Sequence, residues 1–349
     1  MVDPAGVLGE IARGQRAELA RRFDGIALDA LRDRAEPTRR SLAATLAEAR
    51  ARFILEIKKA SPSAGAIRPS GDAAVLARGY ADVADALSVL TERTRFGGSL
   101  ADLAAARAEF DGPILAKDFF LDPRQVAEAR LAGADAILVM MSLLDDRSAR
   151  AMIAEAGRFG MDALVEVHDE AELGRALALG APLIGINNRD LRDLSVDLAT
   201  TEQLARLAPG RTIVSESGIA TRSDVDRLSP LVDAFLIGSA LMRAPDPAEA
   251  ARALLFGRVK LCGLNRPEDF ALARAATHVG LIFVPDSPRA VSPADALRLA
   301  HLHPSAVGVF RDADVGEVGE LATMLGLAAV QLHGAEDAAY ARALARRVP

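Results

Sequence analysis

The stretch "MDALVEVHDEAELGRALALGAPLIGIN", residues 161–187, contains two short apolar runs on either side of a longer segment rich in Ala, Leu and Glu. The runs "DALVEV" (162–167) and "LIGIN" (183–187) lack the strict alternation of a half-solvated strand, so they predict strands covered on both faces. The segment between them is long enough for a crossover helix. The stretch therefore predicts one strand–helix–strand unit of a parallel sheet.

The same rhythm runs through most of the chain, after an Ala/Arg/Glu-rich helical segment that reaches about residue 50. The strand candidates are "FILEIK" (53–58), "ALSVL" (86–90), "PILAKD" (113–118), "DAILVM" (135–140), "DALVEV", "LIGIN", "TIVSES" (212–217) and "AFLIG" (234–238). Eight such units in about 200 residues predict a closed (β/α)8 barrel, a TIM barrel. The alternative is an open doubly wound sheet, which usually carries a Gly-rich dinucleotide loop, and the sequence has no G-x-G-x-x-G.

From about Gly257 the rhythm restarts with "VKLCGL" (259–264), "VGLIFV" (279–284), "AVGVF" (306–310) and "AAVQLHG" (328–334). We therefore predict an α/β chain with two domains. Residues 1–256 form a TIM barrel with an N-terminal helical extension, and residues 257–349 form a second, incomplete (β/α)4 half barrel. A half barrel leaves strand edges and an apolar face uncovered, so we expect possible self-association through it.

Composition limits the classes of partner. The net charge of -6 gives no general basic field for nucleic acid or for an anionic membrane. The longest uncharged apolar run, "AILVMMSLL" (136–144), is too short to span a bilayer. The single cysteine cannot form an internal disulfide, and the N-terminal residues lack the pattern of a signal peptide, so we expect a cytoplasmic protein.

Polar side chains follow nearly every predicted strand at its carboxyl end, where a barrel gathers them into one site. Glu56 and Lys58 alternate on one strand, so both can point into the barrel mouth. The candidates on the third, fifth and sixth strands are Lys117, Glu166, Asn187 and Arg189. Taken singly, each has a plainer explanation: a structural ion pair for Glu56 and Lys58, a solvated lysine for Lys117, a satisfied core acid for Glu166. Together around one rim they favour a site.

Two small-residue corners predict a phosphate site. "SESGI" (215–219) and "LIGSAL" (236–241) place Ser217, Gly218, Gly238 and Ser239 after the seventh and eighth strands. Backbone N–H groups there can bind a phosphate dianion, with Ser61 as a weaker candidate and helix capping as the alternative for that serine. Motifs for zinc hydrolysis, redox dithiols, α/β-hydrolases and P-loops are missing from the sequence. We therefore expect general acid–base catalysis on a phosphorylated small molecule, with no cofactor and no metal.

The stretches "ILEIKKASPSAG", "SVLTERTRFGGSL", "ILAKDFFLDPRQVAEARLAGADAILV", "LVEVHDE", "GINNRDLRDLSVD", "VSESGI" and "FLIGSALM" resemble indole-3-glycerol-phosphate synthase of tryptophan biosynthesis, over about residues 40–255. The resemblance implies a carboxy-lyase that closes the ring of carboxyphenylaminodeoxyribulose phosphate with loss of carbon dioxide and water. By analogy Lys117 is the general acid, and Glu166 and Lys58 serve the proton transfers of dehydration. Glu56, Asn187, Arg189 and Glu216 hold the substrate, and the two corners bind its phosphate. Phe96, Phe119 and Leu191 form a wall for the anthranilate ring, with core packing as the alternative for these three residues.

The second rhythm, with "VKLCGL", "GLIFVPDSPRAV", "VGVFRDAD" and "AAVQLHGAED", looks like the first half of phosphoribosylanthranilate isomerase. The resemblance implies that Cys262 is the catalytic base and that Arg289 binds the anthranilate carboxylate. The family's acid and its phosphate loops belong to later units, so we expect a chain that truly ends at residue 349 to lack isomerase activity. Two rival functions are another phosphate-binding barrel of the histidine or thiamin-phosphate type and a non-catalytic phosphate-binding or assembly module.

Overall fold

Eight parallel strands, the first at Arg52–Ile57 and the last at Ala234–Ile237, close into a barrel. The computed structural model describes residues 6–48, 50–190, 193–257, 259–273 and 276–348. Within it the chain divides into two compact units, Met1–Ala251 and Arg252–Pro349. The TIM-barrel prediction is confirmed, while the predicted boundary at residues 256 and 257 stays a prediction.

The strands of the first unit are β1 (Arg52–Ile57), β2 (Ala60–Ser61), β3 (Gly65–Ala66), β4 (Ala86–Leu90), β5 (Ile114–Lys117), β6 (Ala136–Met140), β7 (Asp162–Val167), β8 (Leu183–Asn187), β9 (Thr212–Glu216) and β10 (Ala234–Ile237). Strands β2 and β3 form a small antiparallel hairpin outside the barrel. Strand β1 closes the barrel by pairing with β10 on one side and β4 on the other, so that Ile54 lies opposite both Leu236 and Ala86. Strands β4, β6 and β8 are buried at every residue, as their unbroken apolar runs predict.

The helices associated with this unit are α1 (Gly6–Arg22), α2 (Leu28–Arg32), α3 (Leu42–Leu46), α4 (Ala73–Tyr80), α5 (Leu100–Glu109), α6 (Pro123–Leu131), α7 (Asp146–Arg158), α8 (Glu170–Ala178), α9 (Ala199–Leu204) with a 3-10 turn at Ala205–Leu207, α10 (Arg222–Leu228), α11 (Ser239–Arg243) and α12 (Pro247–Phe256). Many of them begin at a side-chain cap. Asp169 caps α8, and Asp122 and Thr221 form capping boxes on α6 and α10. Each cap satisfies backbone N–H groups at the helix start and so fixes where the loop after the preceding strand must end.

The second unit consists of β11 (Lys260–Cys262), α13 (Pro267–Leu272), β12 (His278–Ile282), α14 (Pro293–Ala300), β13 (Ala306–Phe310), α15 (Val315–Leu325), β14 (Ala329–Leu332) and α16 (Ala338–Leu344). Its four strands are parallel and lie in the order β11-β12-β13-β14, as the half-barrel prediction requires. Within the described residues, β11 and β14 each pair on one side only. Strand β11 is shorter than the predicted 259–264, because Gly263 turns the chain with a φ of 83°.

Among the residues that the structure describes, no helix has both the length and the apolar composition needed to cross a bilayer.

A buried carboxylate ties the barrel together just before β6. Asp135 is fully buried, and its oxygens accept hydrogen bonds from the Arg107 guanidinium at 2.7 Å, the Arg130 guanidinium at 3.1 Å and the Ile114 backbone N–H at 3.0 Å. The Thr38 hydroxyl donates a further hydrogen bond at 2.5 Å. One side chain thus joins the segment before the barrel, two helices and a strand at the amino-terminal ends of the strands.

We predict that Asp135→Asn lowers the free energy of unfolding by about 3 kcal/mol, since it leaves two largely buried guanidinium groups without their counter-charge. Urea denaturation measures the change. The control is Asp146→Asn, whose ion pair with Arg175 is at the surface and is worth about 0.5 kcal/mol. Equal stability of the two variants would contradict the prediction.

Candidate active site

The carboxyl ends of the barrel strands surround a cavity of about 260 Å³. The predicted residues that line it are Glu56, Lys58, Ser61, Phe96, Lys117, Phe119, Glu166, Asn187, Arg189, Ser217, Gly218, Gly238 and Ser239. Glu216 is fully buried beside this surface and reaches the cavity through its contact with Lys117. The first unit therefore brings every predicted barrel residue that the structure describes to one rim; Leu191 lies outside the described residues.

The ammonium group of Lys117 lies among three carboxylates. Its Nζ atom forms an ion pair with Glu216 and lies 3.8 Å from Glu56 Oε1 and 3.9 Å from Glu166 Oε2. Burial alone would lower the pKa of Lys117, but the charges of Glu216, Glu56 and Glu166 outweigh it and hold the pKa above its ordinary value. Lys117 therefore carries a proton at neutral pH and can donate it to an oxygen atom in the cavity.

Glu56 is shared between the two lysines. Its Oε2 lies 2.6 Å from Lys58 Nζ, while Oε1 faces Lys117. Burial opposes ionisation, but the two ammonium groups outweigh it and lower the pKa of Glu56. A Cβ at Gly238 would overlap the Glu56 carboxylate. Only glycine at this position leaves Glu56 in place.

The cluster holds one more carboxylate than ammonium groups, counting Glu56, Glu166 and Glu216 against Lys58 and Lys117. Burial, together with the charge of Glu166, raises the pKa of Glu216 to about 7, against the opposing effect of Lys117. Burial and a neighbouring carboxylate thus favour the protonated form of Glu216, and a carboxyl group with a pKa shifted in this way is characteristic of acid–base sites.

A strained backbone corner follows β9. Ser217 has a φ of 63°, in the left-handed region that non-glycine residues rarely adopt, and Gly218 follows with a φ of 84°. The buried Asn188 holds this corner, because its Nδ2 donates to the backbone oxygens of Glu216 and Ser217, both at 3.0 Å. Its Oδ1 in turn accepts from the Thr201 hydroxyl at 2.8 Å. A fixed corner of this kind turns backbone N–H groups toward an anion.

Two guanidinium groups lie on the same side of the cavity. Arg189 and Arg243 both line it, with Arg243 one helical turn after Ser239 on α11. Burial lowers the pKa of Arg189, and the nearby positive charge of Arg243 lowers it further. Two cations that repel each other beside the Gly/Ser corners favour a bound dianion.

The opposite wall of the cavity is apolar. The rings of Phe96 and Phe119 lie 6.1 Å apart between centroids, and Leu8 and Ile11 of α1 add aliphatic surface. Helix α1 is held there partly by Gln15, whose amide donates to Asp118 Oδ1 at 3.1 Å. Such a surface suits an aromatic ring.

Cys262 and Arg289 belong to the second unit. Cys262 is half-buried at the end of β11 and packs on Ile282, Val284 and Val309. The Arg289 guanidinium donates to the Cys262 backbone oxygen at 3.0 Å and lies over Gly263. The two predicted residues are therefore neighbours at the carboxyl end of the same strand.

Several residues of the cavity and its surroundings were missed by sequence analysis: Leu8, Ile11, His168, Gly185, Asn188 and Arg243. Arg243 could have been found, since it follows Ser239 at a helical spacing of four residues. The others carry no local signal. The helical pattern of α1, for example, does not reveal which surface it covers.

Comparison with known proteins agrees with the resemblance seen in the sequence. The family description "Indole-3-glycerol phosphate synthase" matches residues 8–254, and "N-(5'phosphoribosyl)anthranilate (PRA) isomerase" matches residues 259–349. The "Tryptophan biosynthesis protein TrpCF" of Salmonella typhi is 48% identical over 90% of this chain and 70% of its own length. That of Vibrio parahaemolyticus is 44% identical over 99% of this chain and 73% of its own. The "Indole-3-glycerol phosphate synthase" of Rhodospirillum rubrum is 48% identical over 71% of this chain and 98% of its own.

We predict that Gly185→Ala lowers kcat by about a hundredfold. A Cβ at Gly185 would overlap the Glu216 carboxylate, which must then move together with Lys117, and displacements of about 1 Å have effects of this size. The matched control is Gly174→Ala on α8, where an added Cβ meets nothing within 4 Å. Steady-state kcat of the two variants measures the effect, and a Gly185→Ala variant with an unchanged kcat would refute the spatial argument.

Proposed function

We propose a role for each side chain at the rim, given that the chain belongs to the indole-3-glycerol phosphate synthase family and continues into a phosphoribosylanthranilate isomerase segment. The chain is a carboxy-lyase of tryptophan biosynthesis that converts 1-(2-carboxyphenylamino)-1-deoxyribulose 5-phosphate to indole-3-glycerol phosphate, carbon dioxide and water. The first unit is therefore an enzyme and not the non-catalytic phosphate-binding or assembly module that the sequence left as an alternative.

Lys117 is the general acid of ring closure. The observation that carries this proposal is the position of its Nζ atom within 3.9 Å of carboxylates from β1, β7 and β9, at the edge of the cavity. As the ring carbon attacks the substrate ketone, negative charge develops on the ketone oxygen, and a proton from the ammonium neutralises it. The carboxylates keep Lys117 charged until that point and take part in returning the proton afterwards.

The later steps need a carboxylate that can gain and lose a proton next to the new ring. Glu166 lines the cavity with Oε2 facing Lys117, so we assign it to the proton transfers of dehydration together with Lys58. Loss of carbon dioxide restores the aromatic ring before water leaves. Lys58 also meets the substrate carboxylate, and Glu56, Asn187, Arg189 and Glu216 hold and polarise the substrate, Glu216 acting through Lys117.

The phosphate binds on the opposite side from the aromatic ring. Ser217, Gly218, Gly238 and Ser239 offer backbone and hydroxyl donors there, with Arg189 and Arg243 as the cations and Ser61 as a further donor. The ring lies against Phe96 and Phe119. This arrangement anchors both ends of the substrate and leaves the reacting carbons near Lys117.

We predict that Lys117→Ala lowers kcat by roughly 10³-fold or more, because it removes the proton donor and leaves three carboxylates without their shared cation. Lys59→Ala is the matched control, since Lys59 pairs with Asp102 at 2.7 Å and does not line the cavity. Steady-state indole fluorescence gives kcat for both. A Lys117→Ala enzyme with near-normal kcat would remove the assignment.

We predict that Arg243→Ala raises KM about tenfold with little change in kcat, since one charge-assisted contact to the phosphate is lost. The inhibition constant of inorganic phosphate should rise by the same factor. Arg78→Ala is the control, because Arg78 is exposed and pairs with Glu109 away from the cavity. Unchanged phosphate inhibition in Arg243→Ala would show that Arg243 does not bind this group.

For the second unit, we propose that Cys262 is the base and Arg289 the carboxylate ligand of the isomerase reaction in a complete isomerase barrel, a role supported by their contact at the end of β11. The outer strands and the exposed Leu272 support the further proposal that this unit self-associates. Native mass spectrometry tests it, and a monomer at all concentrations would exclude it. The cytoplasm stays the proposed compartment, on the single cysteine of the sequence.

A further inference from the structure

His168 is a half-buried titratable side chain that the reaction scheme above does not use. It follows β7 two residues after Glu166 and does not line the cavity. Its Nδ1 lies 3.0 Å from Glu172 Oε2 on α8, and its Nε2 lies 3.4 Å from Glu166 Oε1. The ring therefore lies between a carboxylate of the cavity and a carboxylate outside it.

The two facing atoms, His168 Nε2 and Glu166 Oε1, are both buried and have no hydrogen-bond partner among the described residues. The ionised Glu172 can only accept, so Nδ1 must carry a hydrogen. In a neutral imidazole Nε2 then presents a lone pair to a carboxylate lone pair. Two buried lone pairs at this distance repel, and one added proton between them turns the contact into an ion pair of an imidazolium with a carboxylate.

The charged groups around His168 favour that proton. The negative charges of Glu166 on β7, Glu172 on α8 and Glu216 on β9 all act on the ring, and Lys117 Nζ lies 3.9 Å from the other oxygen of Glu166, Oε2. Burial lowers the pKa of His168, but its hydrogen bond to Glu172 and the negative charges outweigh that effect and raise it above its ordinary value.

We propose that His168 and Glu166 share one proton, so that His168 is the positioning residue which fixes the catalytic carboxylate and supplies the proton that it passes on. The inference rests on the proposed role of Glu166 in proton transfer. Oε1 is held by the imidazolium, and Oε2 remains directed at Lys117 and the cavity.

The proton balance of the step is simple. The Nε2–H bond breaks and an Oε1–H bond forms, which leaves a neutral imidazole with its Nδ1 hydrogen on Glu172 and a neutral Glu166 carboxyl group. A half-turn of the neutral carboxyl group brings this hydrogen to the cavity side, where the O–H bond breaks and the proton passes to the leaving oxygen of the substrate, which departs as water. The proton removed from the substrate carbon in the same dehydration restores the imidazolium through Glu166.

Two variants distinguish the role of His168 in positioning Glu166 from its role in proton exchange with Glu166. In His168→Asn the side chain can keep the contact to Glu172 but is too short for Glu166, so kcat should fall about tenfold or more, with KM nearly unchanged because His168 does not touch the cavity. In His168→Gln the amide can donate to Glu166 but cannot titrate. It should regain part of the lost kcat.

The pH profile is the decisive measurement. Catalysis requires the protonated form of His168, and the pKa of His168 lies above the ordinary 6.5. Wild-type kcat should therefore decline as the pH rises through this raised pKa. His168→Gln should lose this alkaline decline. Unchanged kcat in His168→Asn, or a wild-type decline in His168→Gln, would overturn the proposal, as would a loss of thermal stability without any change in profile.

Glu166→Gln, measured alongside, distinguishes this inference from the proposed function. If Glu166→Gln retains normal turnover, the assignment of Glu166 itself fails. If Glu166→Gln is inactive while His168→Asn is normal, only the role of His168 fails.

Discussion

The first unit depends on one electrostatic constraint: a buried ammonium group, that of Lys117, within 3.9 Å of three glutamates. Taking these charges out of water is costly, and the cost is offset only while each charge keeps its partners. The neighbouring backbone is adapted to this need. Gly185 and Gly238 leave space where any side chain would displace Glu216 or Glu56.

The same constraint explains why the cluster suits proton transfer. The Lys117 ammonium lies within 3.9 Å of three carboxylates at the edge of the cavity, so a proton can pass to a substrate without large rearrangement. Lys117 stays charged because three acids surround it, and Glu56 stays ionised because two lysines share it. The largely buried surroundings make each of these interactions stronger than it would be in water.

The residues that stabilise the barrel and the residues that line the cavity lie at opposite ends of it. Asp135, just before β6, joins segments at the amino-terminal ends of the strands with four hydrogen bonds, and its partners do not line the cavity. The catalytic side chains lie at the carboxyl ends, where loops and helix starts can vary without disturbing the sheet. Ser217 shows the local cost of that arrangement, since Asn188 must hold it in a left-handed conformation.

The hydrophobic periodicity and the residue types of the sequence alone determined the barrel architecture and most of the side chains at the carboxyl ends of its strands. Unbroken apolar runs such as "LIGIN" predict strands buried on both faces, and a parallel barrel necessarily collects Glu56, Lys117 and Glu166 at one end. Only the tertiary structure decided which charges meet. The pairing of Lys117 with Glu216, the docking of α1 through Gln15 and the contact of His168 with Glu166 depend on barrel closure and side-chain direction, which bring together residues that no local pattern relates.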